Sequence, residues 1–571
     1  MNDYLGRIWK YKFHYFLAFL PLLLIFLLKI IPFIAGFRMA FTDVKIIYGI
    51  FGSEWTGWAN FDALFGMPEF GHILGNTLAI KLSYMGVVGI LSLMLAAALS
   101  GIRSDRLRNA FVVLFLIPYF IPSAVIADTA AYLLSPSQSI LATGGSLPLA
   151  DPAYFRAIVY LLEALKTCGI PVLLALAAIR AYRSRATASG IRRPSSFYPA
   201  LRALVAFLLI QLSTILSTDF DLLYRLNNPL VYSVGDTLDT FAFRTGFMNA
   251  NFGVGSAMWL FQFAIQLVFT LAAYLLVRKW FVRDLFVGNS AQASGVQRVN
   301  LDKSAGSGPG SGFDTSAGRN ALGIVVASLY SALVLFFLYF LFVHPFLQGA
   351  GGGPTLSEVF PTQNFILFLF LYGAVTAFSL LIMLMLAYPL TVSALPGRSL
   401  YRFVLLFVLA IGTGSTLHEY MAYRQMGAVN TIFPLLISGL VAIVGVFVLK
   451  GVFNASYASL KLQAEQEGRG EMYAFFTLFV PKVWKPLLGL GVLNFVGLWN
   501  SYIPSLVYLS NPELFSPIAS VAMLSRSMDL QQAPEIALQL GAIVSLPSVI
   551  LLLALSKFMT SEVLLGTSRR L

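Results

Sequence analysis

Twelve apolar runs, each close to the length that crosses a bilayer, are distributed along the chain. They lie near residues 13–37, 73–100, 110–134, 155–179, 200–217 and 255–277, then near 321–345, 363–390, 402–417, 430–450, 486–508 and 535–556. A helix needs about 20 mostly apolar residues to span the hydrocarbon region. Backbone groups in lipid must also bond within their own segment, which makes such runs helical. With 58% hydrophobic and 11% charged residues and a mean hydropathy of +0.80, the chain lacks the polar surface a water-soluble fold requires. The expected fold is an all-α polytopic membrane protein with tandem 6+6 transmembrane helices. The first run is too long for a secretory signal and is followed by no small-residue cleavage site, so it is expected to be a span.

The formal net charge of +13 is distributed as membrane topology demands. Arg103, Arg106 and Arg108, then Arg180 to Arg193, Arg398 and Arg402, Lys461 to Lys485, and Arg569 and Arg570 all fall in alternate connections. The excess of Lys and Arg on one side predicts that this side and both termini are cytoplasmic, and it points to membrane lipid rather than nucleic acid. Cys168 is the single cysteine, and His14, His72, His344 and His418 are scattered. No metal site is expected from them. The sequence contains no G-x-x-x-x-G-K-[ST] loop, so no nucleotide site, catalytic residue or cofactor is expected in this chain.

The two sets of six runs look duplicated. Leu222–Val234 (LLYRLNNPLVYSV) resembles Ser505–Pro517 (SLVYLSNPELFSP), which places Asn228-Pro229 283 residues before Asn511-Pro512. Between the sets, residues 288–320 are rich in Gly and Ser and are expected to form a cytoplasmic tether with a reach of roughly 30 Å. The predicted division is therefore 1–287, a 288–320 linker, and 321–571.

One polar stretch, Lys461–Lys485, interrupts the second set. It reads as two short amphipathic helices around Gly468, with Phe475 following and Pro481 thirteen residues after the glycine; Trp499-Asn500 lie in the next run. In this pattern the C-terminal half resembles the membrane permeases of binding-protein-dependent ABC importers for sugars. Their signature is a cytoplasmic E-A-A-x-x-x-G loop with a proline thirteen residues beyond the glycine. Ala464, Glu467, Gly468, Phe475 and Pro481 fall in register, whereas Leu462 and Gln463 stand where Glu and Ala are usual. Gly52–Phe61 (GSEWTGWANF) and Asn228–Gly246 (NPLVYSVGDTLDTFAFRTG) are similar to the partner permease of complex-oligosaccharide systems.

The resemblance implies a type I importer fold and alternating access. It implies as partners two ATP-binding-cassette ATPase subunits carrying ATP and Mg, an extracytoplasmic substrate-binding protein, and a sugar substrate. It also implies residence in the bacterial cytoplasmic (inner) membrane. The equivalent N-terminal loop, Arg180–Leu201, has no glutamate and sets Gly190 only nine residues before Pro199. Arg185, Gly190, Arg192, Arg193 and Pro199 would form a second, more cationic contact, or bind anionic lipid.

Ionisable and amide groups inside the runs are candidates for a substrate path, because their burial in a membrane is costly. Glu163 and Lys166, three apart on one helix face, are expected to neutralise one another. Lys81 is expected to snorkel outward and Asp128 to reach the outer interface. Gln211 with Thr214 and Thr218, then Trp259, Gln262 and Gln266, then Asn494 with Ser501 and Ser505 form polar stripes suited to sugar hydroxyls, and Trp499 and Asn500 are further path candidates. The competing reading is a major facilitator, which shares the 6+6 plan and the long central loop. Gly101–Asn109 (GIRSDRLRN) partly matches that superfamily's G-x-x-x-D-R loop.

Overall fold

The computed structural model describes residues 9–135, 147–188, 196–277, 279, 317–348, 356–411, 416–526, 534–559 and 563. Among them, nine helices are long and apolar enough to cross a membrane, or up to twelve when each of three bent pairs counts as one span. The unbroken ones are α1 (Lys12–Ala40), α2 (Phe70–Ser100), α7 (Phe197–Thr214), α8 (Phe252–Leu276), α9 (Ala317–Phe342), α10 (Thr362–Thr391), α13 (Phe433–Ala455), α15 (Glu471–Trp499) and α16 (Pro534–Phe558). The bent pairs are α3 (Asp105–Phe120) with α4 (Ser123–Leu133), α5 (Pro152–Thr167) with α6 (Gly169–Ala188), and α11 (Arg398–Ile411) with α12 (Thr416–Gln425).

Three of the expected spans are therefore not straight, 155–179 being bent by 48°. Residues 110–134 turn by 95° at Ile121-Pro122, and 402–417 belong to a pair bent by 97°. The first break has a local cause. Pro118 and Pro122 carry no N–H and restrict the residues before them, so the chain tightens into a 3-10 turn at Ile117–Phe120 and leaves the helix at Ile121. The Gly/Ser-rich segment also ends earlier than expected, because α9 is already helical at Ala317.

The helices on either side of the undescribed 280–316 stretch interlock. The N-terminal helix α1 packs along α10 and against α12, and α9 packs along α2, α3 and α4. Each half thus lends its first helix to the other. Tyr15 Oη donates to the Pro396 carbonyl at 2.9 Å, and Lys29 pairs with Glu419 at 2.6 Å. On the opposite flank, Tyr330 of α9 sits edge-on to Phe115 with centroids 4.7 Å apart. The backbones come so close there that a Cβ on Gly323 would lie 2.4 Å from the Ala98 carbonyl oxygen. One apolar core runs through both halves, from Leu17 to Val563.

The duplication visible in the sequence recurs as local structure. Asn228 accepts from the Leu230 N–H and opens a 3-10 turn at Pro229. Asn511 accepts from the Glu513 N–H and opens the same turn at Pro512.

Candidate functional site

The break between α3 and α4 leaves backbone groups without a helical partner, and side chains from the other half meet them. Asn500, at the end of α15, donates to the Phe120 carbonyl at 3.0 Å and accepts from Ser548 Oγ at 2.9 Å. Ser123, opening α4, donates to Asp219 Oδ2 at 2.9 Å. Lys166 reaches both Ser123 and Asp219. These groups border a cavity of about 380 Å3 walled by both halves: Tyr119, Lys166, Asp219 and Asp221 on one side, Tyr372, Asn494 and Asn500 on the other.

Glu163 and Lys166 remain in one another's field as expected, but the direct ion pair of Lys166 is with another carboxylate. The Lys166 ammonium turns to Asp219, which the chain delivers from a stretch of outer-loop composition, while Glu163 stays buried on α5. Asp128 is paired rather than free. Arg225, on the short helix Phe220–Leu226, donates to both its carboxylate oxygens at 2.6 and 3.1 Å. The same guanidinium donates to the Ala522 carbonyl at 3.0 Å, so the pair joins the two halves. Lys81 does not snorkel. It is 2% exposed, near the Tyr84 ring, in the field of Glu163, Asp239 and Asp219.

The amide stripes divide. Asn494 and Asn500 line the cavity, and Asn494 donates to the Gly439 carbonyl at 3.1 Å. Trp499 is turned into the core, its Nε1 donating to the Val544 carbonyl at 2.8 Å. Gln211 donates to Tyr84 Oη at 2.8 Å and Gln266 to Ser217 Oγ at 2.8 Å. Gln262, with Trp259, borders a separate cavity and donates to Asp239 Oδ1 at 3.1 Å. Sequence reasoning missed Asp219, Asp221 and Asp239 as cavity residues. Their signal was a carboxylate recurring beside apolar neighbours, as in Asp219–Leu223 (DFDLL).

The polar loop forms a second arrangement. Helix α14 (Ala458–Gln466) stops in a Schellman turn. The Arg469 N–H donates to the Ala464 carbonyl at 3.0 Å, and the Gly468 N–H to that of Glu465 at 3.2 Å. Gly468 takes φ +72°, the left-handed conformation such a turn requires. The chain restarts at Glu471 and widens into a π-helical turn over Ala474–Phe479. Pro481, which cannot donate to the preceding turn, lies just beyond that widening in α15.

One face of the loop is exposed, with Leu462, Met472 and Phe476 each at least 60% accessible. Glu467 pairs with Arg469 at 3.1 Å on that exposed side. The other face is anchored by Ala464 and Phe475, both buried, the latter edge-on to Tyr388 and to Phe13 of α1. Glu471 accepts from Tyr388 Oη at 2.5 Å and lies 3.4 Å from His14 Nε2 and 3.5 Å from Lys461 Nζ. Burial holds the Lys461 amine below its usual pKa, against the opposing pull of Glu471. The counterpart loop is only partly described. Pro199 is buried in the first turn of α7, whereas Gly190, Arg192, Arg193 and the Arg185 side chain lie outside the described residues.

No family model matches the chain. It is similar to the polygalacturonan/rhamnogalacturonan transport system permease protein YteP of Bacillus subtilis (strain 168), 27% identical over 282 residues, which are 46% of this chain and 88% of that protein. Protein LplB of the same organism is 23% identical over 288 residues, covering 48% of this chain and 90% of its own. A solved bacterial ABC transporter involved in the import of the acidic polysaccharide alginate is 22% identical, covering 48% of this chain and 99% of that one, with a TM-score of 0.42. These two curated relatives are thus matched over 88% and 90% of their length by about half of this polypeptide.

Proposed function

We propose that this chain, a relative of the permeases of carbohydrate ABC importers, supplies both membrane halves of an ATP-driven, binding-protein-dependent oligosaccharide importer. The observation that carries the reading is the interface cavity of about 380 Å3, walled by both halves and rimmed by Lys166, Asp219, Asp221, Asn494 and Asn500. A site between two interlocked units opens to either side when one unit rocks against the other. Two permease-sized halves joined by a tether that ends before Ala317 accord with relatives that each match 46–48% of this chain.

The drive would enter at the Gly468 loop. Its exposed Leu462, Met472 and Phe476 suit an apolar cleft on an ATPase subunit, which would hold ATP and Mg. Displacement of the loop would pass through Glu471, Tyr388 and His14 into α10 and α1, and so into both halves at once. The Arg180–Leu201 loop would meet a second ATPase subunit with a more cationic surface. Both termini and these loops would face the cytoplasm, and a sugar-binding protein would dock on the opposite face of the inner membrane.

Reconstitution with its ATPase subunits and binding protein tests the reading. Oligosaccharide uptake into proteoliposomes is expected to need internal-face ATP and to survive an uncoupler. Uptake that persists without ATP and collapses with the uncoupler would establish a facilitator instead.

A further inference from the structure

The interface cavity has a neighbour. A second cavity, of about 230 Å3, is lined by Phe220, Phe243, Phe247, Trp259, Asp239 and Gln262 among others. Two chain segments wall both spaces. Along 217–221, Ser217, Thr218 and Phe220 border the second cavity while Asp219 and Asp221 border the first; along 501–504, Ile503 borders the second and Ser501 and Pro504 the first.

The charges around this double space are unbalanced. Among the described lining residues the ionisable carboxylates are Asp219, Asp221 and Asp239, against Lys166 as the cation. The Lys166 ammonium is engaged by Asp219 and Ser123. The next cations outward are matched as well: Arg225 is held by Asp128, and Lys81 lies among Glu163, Asp239 and Asp219. The neutral polar groups facing the spaces are amides and hydroxyls, namely Asn494, Asn500, Ser438 and Gln262, beside the rings of Tyr119, Tyr372 and Trp259.

Resting on the importer reading of this cavity, we propose that the path accepts uncharged oligosaccharides and rejects acidic ones. A sugar ring offers hydroxyls to amides and carboxylates and its C–H faces to aromatic rings, which this wall supplies. Burial and the neighbouring Asp219 push the Asp221 carboxyl up to about 7, and burial raises Asp239 as well. Above that pH a uronate carboxylate entering the same space would meet like charge across a poorly screening medium, with Lys166, the cation among the described lining residues, already engaged. The chain would thereby differ in substrate class from relatives whose names specify polygalacturonan or alginate.

The field inside the cavity can be read without knowing the sugar. Ser438 borders the cavity and is solvent-accessible, while Cys168 is buried. Ser438→Cys in the full chain, held in lipid nanodiscs at pH 8, above the Asp221 value, is treated with a trimethylammonium or a sulfonate methanethiosulfonate, each rate divided by that with free 2-mercaptoethanol. The cationic reagent is expected to be favoured at least tenfold, and adding Asp221→Asn to cut that preference at least threefold. Equal rates, or preference for the sulfonate, overturn the proposal.

A second arm uses the reconstituted importer with maltopentaose, xylopentaose and pentagalacturonate as probes. ATP-driven uptake of a neutral probe exceeding that of pentagalacturonate supports the inference. The reverse order overturns it while leaving the importer reading intact. Uptake of every probe that is independent of ATP, or no uptake of any, overturns the importer reading beneath it.

Discussion

At Gly468 a Cβ would meet nothing within 4 Å, so the requirement for glycine lies in its φ of +72° and not in packing. Asn tolerates that conformation and a β-branched residue does not. In the reconstituted importer, Gly468→Val is expected to lower sugar transported per ATP several-fold, whereas Gly468→Asn retains most of it. Gly190→Val is expected to do less, and equal losses at both glycines would show that the two loops couple alike. The Arg225–Asp128 pair yields a different test. Removing either partner leaves a largely buried charge uncompensated, a cost of about 3–5 kcal/mol, and the double substitution Arg225→Met with Asp128→Leu should cost less than either single change in thermal unfolding. The sequence showed Asp128 and Lys166 as costly residues in apolar runs, but not their partners. Those partners, Arg225 and Asp219, sit 97 and 53 residues away in a stretch whose composition reads as an outer loop. Local pattern carries no information about such folding back.

Helices were the most legible level, because an apolar run in lipid has few alternatives to a helix. Their breaks were less so. Hydropathy averages over the run and stays high through a right-angle turn, so 110–134 and 402–417 read as plain spans even though Pro118 and Pro122 were in view. The close crossing of α9 and α2 was invisible for another reason: Gly323 looks like any glycine in an apolar helix until the Ala98 carbonyl is placed 2.4 Å from where its Cβ would be. Gly323→Ala is expected to destabilise the purified protein by about 1–3 kcal/mol through overpacking. Gly86→Ala, with nothing within 4 Å, should be neutral or slightly stabilising through helix propensity. Thermal unfolding in one detergent compares the two directly, and equal effects would mean that the α9–α2 contact is looser than described.

For the whole molecule, the exchange of first helices predicts that covalent continuity across the segment before Ala317 is dispensable and that each half is incomplete alone. Residues 1–287 and 317–571 expressed together are expected to co-purify and to sustain uptake, whereas either fragment alone should aggregate or be degraded. Stable separate fragments would contradict the interlocked core. The exchange also has a consequence in time. Tyr15 and Pro396 are 381 residues apart, which at 5–20 residues per second is roughly 20–80 s of synthesis. Helix α1 therefore waits in the bilayer, packed on α8 through Ile31–Ala40 but with the His14 contact to Tyr388 and the Gly36 contact to His418 unmade, until α10 and α12 emerge to receive it. Any membrane factor that shelters exposed helix faces would have to hold α1 across that interval.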